Sequence, residues 1–543
     1  MIQASTRAGR LLLGDEAVAL GALDAGVSAA YAYPGTPSTE ILEHVAREGP
    51  RYGVTAHWTA NEKTAYEAAL GVSMVGRRAL VSMKHVGLNV AADPFVSSAL
   101  VRLRGGLVLA VADDPSMHSS QNEQDSRVLA DFARVLCLEP ADPQQAYDLT
   151  REAFDLSERL RVPVVLRLVT RLCHGRARVV PASPRTQNTP TDGVDGRDWT
   201  LLPANARRLW RELLDRQGEL LALSEGWPGN VFEPGSGATA RPSDPEARAP
   251  APERDGWPAD DGLLPLGVVT AGTGRNLYTE LARELDPRPP HLHVEVYPLP
   301  AEKLRDLASL VERVLVLEEG YPFVERQLRG LLASDREILG RESGALPPAG
   351  ELTPESVREA LGLEPRPFVD LDGPALPPRP PQLCKGCPHR DALTALGRAG
   401  DATDPWLVTG DIGCYALGAL PPWEALRSCV CMGASIGMAR GAADAGHPRV
   451  LAVIGDSTFL HSGMTPLLDA VVHDTDMTVL ILDNEAVAMT GQQEPLLSSS
   501  RIIPVLHGLG VPPDHLHVVE THPARLEELT SALSDAMDHR GLS

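Results

Sequence analysis

The residues between Leu451 and Asn484 place a carboxylate and a carboxamide where they could share a cation. Leu451 to Ile454 is a short apolar run and reads as a buried strand. It stops at Gly455-Asp456-Ser457. Met464, Leu467, Leu468, Val471 and Val472 then share one face of a helix. A second apolar run, Met477 to Leu482, stops at Asp483-Asn484. Strand, helix and strand within about 35 residues predict a parallel, right-handed βαβ unit. Asp456 and Asn484 then lie together at the carboxyl edge of the sheet, where open α/β sheets bind ligands. Their hard oxygens suit Mg²⁺. A Mg²⁺ there would carry a diphosphate, with Gly455 and Ser457 small enough to let phosphates approach the backbone. An ordinary crossover with polar loop ends has the same pattern.

Two other groups of residues could do chemistry. Asn61-Glu62 opens a segment, Asn61 to Val75, that reads as a helix. In the plain reading Asn61 caps it and Glu62 meets the helix dipole. Five of the seven cysteines fall between 384 and 431. Cys384 and Cys387 form a C-x₂-C, Cys414 follows, and Cys429 and Cys431 form a C-x-C. Four of these could close a site for Fe–S or zinc; the alternative is unligated buried thiols. Cys137 and Cys173 read as core residues. Seven cysteines in so long a chain do not suggest a disulfide framework.

The elements that must position these groups follow from the rest of the chain. At 543 residues it should hold about three domains. Residues 1–180 alternate helix and strand: a helix over Glu16 to Leu23, then strands over Ala29 to Tyr33, Ala79 to Met83, Gly106 to Val111 and Pro163 to Leu168. That is the pattern of a doubly wound parallel sheet. Ser38 is placed to cap a helix after Pro34-Gly35-Thr36-Pro37. Residues 181–262 read as loop, helix (Leu202 to Leu223) and linker. Residues 263–362 read as a smaller α/β domain with strands near Gly267 to Thr270, Leu292 to Val296 and Arg313 to Leu317. Residues 363–382 are a Pro-rich linker, and residues 383–543 are a third α/β domain. The formal net charge of −22 argues against a nucleic-acid partner. No apolar run suggests a membrane span and no signal-peptide core is visible, so the expected location is the cytoplasm.

The stretch from Gly455 to Asn484 resembles the thiamine diphosphate motif, Gly-Asp-Gly followed roughly 25 to 30 residues later by Asn, with Ser457 in the third position. Further segments extend the likeness: YPGTPSTEI at 33–41, NEKTAYEAALG at 61–71, MKHVGLNVAADP at 83–94 and VADDPSMHSSQNEQDSR at 111–127. They continue with CKGCPHR at 384–390, GDIGCYALG at 410–418 and CMGASIGMA at 431–439. Together they are similar to the large, thiamine-binding subunits of the indolepyruvate:ferredoxin oxidoreductase family, within the 2-oxoacid:ferredoxin oxidoreductase superfamily.

The resemblance implies a thiamine-diphosphate-binding fold, with doubly wound parallel sheets in two large domains and a smaller α/β domain between. Residues 1–180 would be the pyrimidine-binding type, 263–362 the transketolase C-terminal type, and 383–543 the diphosphate and Mg²⁺ domain. Glu62 matches the catalytic glutamate, whose carboxylate shifts the aminopyrimidine to its imino tautomer and so activates the thiazolium carbon. Asp456, Asn484 and the carbonyl of Ala486 match the Mg²⁺ ligands. Gly413, Cys414, Gly433, Gly455 and Ser457 fall where the family packs the cofactor. Thr36 lies in the loop that reaches the substrate carboxylate, and His85, His118, Gln121 and Asn122 are candidates for the same cleft. Cys384, Cys387 and Cys414 match ligands of one [4Fe–4S] cluster. The family's fourth cysteine is missing, which leaves Cys431 or Cys429 to replace it.

The implied reaction is oxidative decarboxylation of an aryl-2-oxo acid to its acyl-coenzyme A, with electrons passed through Fe–S to ferredoxin. The implied assembly is a hetero-oligomer with a smaller beta subunit. The family's C-terminal ferredoxin-like domain has no counterpart in this sequence, and no coenzyme A site is evident. Two rivals remain at this level: a non-oxidative thiamine-dependent decarboxylase or carboligase, and a non-enzymatic module that binds a diphosphate.

Overall fold

The computed structural model describes residues 9–191, 194–235, 263–332, 336–366, 382–400 and 406–543. Most of the two expected linkers, residues 236–262 and 367–381, lies outside the described residues. The chain divides into one compact unit over residues 1–369 and a second over residues 370–543.

In the first unit, among the described residues, seven strands form one sheet. Their order is Val296–Tyr297, Cys137–Leu138, Val164–Val169, Leu107–Asp113, Ala79–Lys84, Ala29–Ala32 and Thr55–Trp58. All pairings are parallel except that of the edge strand Val296–Tyr297. The three central strands are buried along their whole length. Such strands read as continuous apolar runs because helices cover both faces. Helix Gly14–Asp24 is buried on almost every side, and it packs on helix Pro143–Leu160. A Cβ at Gly21 would stand 2.6 Å from the carbonyl oxygen of Tyr147, so only glycine allows this approach.

A five-stranded sheet follows in the same unit, in the order Glu337–Leu339, Val311–Leu317, Leu264–Ala271, His291–Val294 and Phe232–Glu233. The single strand expected over Leu292 to Val296 is two. His291–Val294 belongs to this sheet and Val296–Tyr297 to the edge of the seven-stranded one. Asn230 makes the break: its Oδ1 accepts from the backbone of both Glu295 (2.7 Å) and Val296 (3.0 Å).

Buried charges also tie the two sheets together. Arg167 bonds Asp113 at 2.7 Å, pairs with Glu139, and donates to the carbonyl of Glu319 at 2.9 Å. Arg127 pairs with Asp125 at 2.5 Å and Glu318 at 2.9 Å, and donates to Tyr297 at 3.1 Å. The Tyr297 hydroxyl donates in turn to Glu139 at 2.7 Å. Both guanidiniums are fully buried. Such a set is stable only while each charge keeps its partners.

The second unit holds a three-stranded parallel sheet, Leu407–Gly410, Val450–Gly455 and Thr478–Leu482. The βαβ unit is present, with Gly455 opposite Leu482. Its crossover differs from the expected plain helix. The turn Phe459–Gly463 is a π-helix between the short helix Asp456–Thr458 and helix Met464–Val472. The apolar face is also narrower: Leu467 and Ala470 are buried, whereas Leu468 and Val472 are 45% and 71% exposed. No helix among the described residues is long and apolar enough to cross a membrane.

Candidate active site

In the second unit the carboxyl ends of two paired strands bring the predicted diphosphate residues to one edge. Strand Val450–Gly455 ends on Asp456, and strand Thr478–Leu482 is followed by Asp483 and Asn484. Asp456 is buried. Its Oδ1 accepts from the backbone N–H of Ser457 at 2.6 Å, and its Oδ2 has no partner. Burial, together with the nearby Asp483 carboxylate, raises its pKa to about 6. The Ser457 hydroxyl is likewise buried and without a partner. Glu485, between Asn484 and Ala486, takes a left-handed φ of 52°. Such a conformation costs roughly 1–3 kcal/mol in a non-glycine residue and concentrates at functional sites. An orphaned, buried carboxylate oxygen at the carboxyl end of a strand is a hard donor of the kind Mg²⁺ takes.

The loops around this edge are held by a residue that the sequence reading passed over. Asp411 is fully buried at the end of strand Leu407–Gly410. It accepts from Gly433 N–H at 2.9 Å and Ser435 N–H at 3.0 Å. It thereby fixes the start of helix Ala434–Asp444 against the Gly413-Cys414 turn. Gly433 has φ 88°, and a Cβ there would meet Ser462 at 2.6 Å. Gly413 and Gly455 both lie under the ring of Tyr415, 2.3 Å and 2.9 Å from where a Cβ would stand. These positions are glycine because a Cβ at each would clash with Tyr415 or Ser462, which leaves the backbone of the three turns free of side chains.

The cysteines fall into two groups. Cys414 feels the charges of Cys387 and Cys384, while Cys429 feels that of Cys431 and donates to the carbonyl of Asp411 at 3.5 Å. Cys384, Cys429 and Cys431 are exposed and Cys387 and Cys414 half-buried, so they are not core thiols; Cys137 and Cys173 are. Among the described residues no three or more His, Cys, Asp or Glu side chains are arranged to hold a metal ion. A Mg²⁺ held by one carboxylate, one amide and one carbonyl is a different donor set.

In the first unit the carboxyl edge of the seven-stranded sheet gathers the second set. Asn61 caps helix Glu62–Met74 through its Oδ1, which accepts from Thr64 N–H at 2.9 Å. Glu62 is buried at the first position of that helix and lies over Gly87, where a Cβ would stand 2.6 Å from its Oε1. Thr36, partly exposed, sits in the loop after strand Ala29–Ala32. Ser38 stands at the predicted cap position, but its hydroxyl donates to Gly35 instead, at 2.8 Å. Thr39 Oγ1 accepts from Gly35 N–H at 3.0 Å, which closes the loop.

His85 is buried after strand Ala79–Lys84. Its Nε2 lies 3.1 Å from the carbonyl of Asn122, and burial lowers its pKa. His118, Gln121 and Asn122 are exposed; His118 lies 3.6 Å from Glu351. The sequence reading also missed Lys84 and Asp114. Lys84 is buried with its charge near Asp114 and Glu62, and burial lowers its pKa to about 8. Asp114 accepts from Ser119 N–H at 2.8 Å, Ser120 at 2.6 Å and Thr170 at 2.8 Å. The one available signal was position: both residues stand at strand ends on the ligand-binding edge.

Two family models match. "Pyruvate flavodoxin/ferredoxin oxidoreductase, thiamine diP-bdg" covers residues 20–191, and "Thiamine pyrophosphate enzyme, C-terminal TPP binding domain" covers residues 411–543. The chain is 35% identical to indolepyruvate oxidoreductase subunit IorA of Archaeoglobus fulgidus, over 98% of this chain and 85% of that one. It is 39% identical to the IorA subunit of Methanothermobacter thermautotrophicus, over 89% of this chain and 76% of that one. A solved 2-oxoglutarate:ferredoxin oxidoreductase from Magnetococcus marinus aligns at a TM-score of 0.46 and 15% identity, over 61% of this chain and 62% of that one, too distant to transfer residues. With both thiamine-binding models matched and these relatives covered over most of their length, the chain belongs to the IorA family, the alpha subunits of 2-oxoacid:ferredoxin oxidoreductases.

Proposed function

We propose that this chain carries out the oxidative decarboxylation of an aryl-2-oxo acid such as indolepyruvate, with coenzyme A taking the acyl group and ferredoxin the electrons. In balanced form, one 2-oxo acid anion, one coenzyme A thiol and two oxidised ferredoxins give acyl-coenzyme A, CO₂, one proton and two reduced ferredoxins. Thiamine diphosphate, when bound, supplies the nucleophilic carbon and the electron sink for loss of CO₂. Asp456, Asn484 and the Ala486 carbonyl hold its Mg²⁺. Gly413, Gly433, Gly455 and Ser457 give its diphosphate close access to the backbone. Glu62 holds or releases the proton that sets the tautomer of the aminopyrimidine, a general acid–base role.

Residues 1–180 serve as the pyrimidine-binding domain, 263–362 as the transketolase C-terminal-like domain and 383–543 as the diphosphate domain. The working form pairs the chain with a smaller beta subunit, in keeping with relatives named as subunits.

The observation that carries this reading is the buried Asp456 carboxylate with its unpartnered Oδ2, at a strand end paired in register with the strand leading to Asn484. The test is an anaerobic assay of CO₂ release and ferredoxin reduction from indolepyruvate. Thiamine- and coenzyme A-dependent reduction is expected. An aldehyde product with no reduced ferredoxin would refute the oxidative route.

A further inference from the structure

Lys84 holds a buried positive charge at the carboxyl edge of the seven-stranded sheet. It ends the central strand Ala79–Lys84 and its stem lies against Gly35, in the turn that carries Thr36. Its Nζ donates to the carbonyl of Ser119 at 3.2 Å, and the Ser119 hydroxyl donates to the carbonyl of Thr36 at 3.2 Å. Among the described residues that is the only hydrogen bond Nζ makes, and it forms no salt bridge. Asp114 and Glu62 act on it only through their fields. An ammonium has three donors, so two remain for a ligand.

Burying a charge with so little compensation costs stability. Groups of this kind mark functional sites when they sit in a cluster of polar side chains. The other buried cations of this edge are committed: Arg127 and Arg167 are saturated by Asp113, Asp125, Glu139 and Glu318. A 2-oxo acid arrives as an anion and needs a cation near Glu62.

We propose that Lys84 Nζ binds the carboxylate of the 2-oxo acid, beside the Thr36 turn. This rests on the functional reading above. The ammonium is a compact point charge that binds the substrate anion and has no hold on neutral CO₂. It acts on the bound substrate more than on the transition state, so its loss raises KM more than it lowers kcat.

The test uses the full chain loaded with thiamine diphosphate and Mg²⁺. Indole-3-propionate, which cannot react, and its neutral amide are titrated by calorimetry. Wild type should prefer the carboxylate by about 10- to 100-fold, the range for a hydrogen bond to a charged group. Lys84→Met should abolish that preference and leave the affinity for the amide unchanged, which also reports an intact fold. Lys84→Arg should keep part of it. A preference that persists in Lys84→Met, or in Lys84→Gln as a second variant, overturns the assignment. Failure of wild type to bind thiamine diphosphate is a distinct result and overturns the functional reading instead.

Discussion

Gly87→Ala isolates the position of the Glu62 carboxylate from its charge. Gly87 is a buried residue of helix His85–Val90, directly beneath Glu62. A Cβ there would stand 2.6 Å from Oε1, 2.7 Å from Cγ and 2.8 Å from Cδ, whereas ordinary contact begins at 3.4 Å. The carboxylate must therefore retreat by about 0.8 Å. Misplacement by about 1 Å costs a catalytic group on the order of 10²-fold. The backbone does not suffer, since alanine favours a helix interior over glycine by about 1 kcal/mol. That gain offsets part of the crowding, and the variant should unfold near the wild-type temperature. The assay is proton–deuterium exchange at C2 of the bound thiazolium, read by quenched NMR. Gly87→Ala should exchange about 10²-fold more slowly than wild type, and Glu62→Gln about 10²- to 10⁴-fold more slowly. Wild-type exchange in both variants would mean that Glu62 only opens its helix, and the reasoning would fail.

Two further predictions concern the scaffold. Arg127→Met should destabilise the first unit by roughly 3–5 kcal/mol, because Asp125 and Glu318 would be left as buried charges; a urea midpoint within error of wild type would contradict this. His293 is fully buried, with Nδ1 3.0 Å from the Thr270 hydroxyl, and burial lowers its pKa to about 3. Below its unfolded value near 6.5, the unfolded chain takes up a proton that the folded chain refuses. Its contribution is therefore complete above that pH and is lost as pH falls toward 3, at about 1.4 kcal/mol per unit. Urea midpoints at pH 7, 6 and 5 should fall less steeply in His293→Asn; an unchanged slope would refute the assignment.

The elements of the candidate site were legible where local pattern and fold agree. Val450–Gly455 and Thr478–Leu482 are apolar runs closed by Gly-Asp and Asp-Asn, and a buried parallel sheet leaves them little else to do. Asn61 before Glu62 announces a helix start by its capping chemistry alone. What stayed hidden depends on contacts between distant residues. Lys84 gains its role from a loop 35 residues away, and Glu62 gains its position from Gly87. Asp411 looks like a loop aspartate until Gly433 and Ser435 donate to it. The π-turn at Phe459–Gly463 has only weak local cues, Gly463 at its end and Pro466 in the helix that follows, and the left-handed Glu485 has none.

The claim that everything else depends on is that Asp456 holds the metal of a thiamine diphosphate site. Calorimetric titration of thiamine diphosphate into the full chain tests it directly, with and without Mg²⁺, for wild type and Asp456→Ala. Binding to wild type that requires Mg²⁺, and its loss in Asp456→Ala with the unfolding transition preserved, is the predicted result. Equal affinity in the two proteins would contradict it.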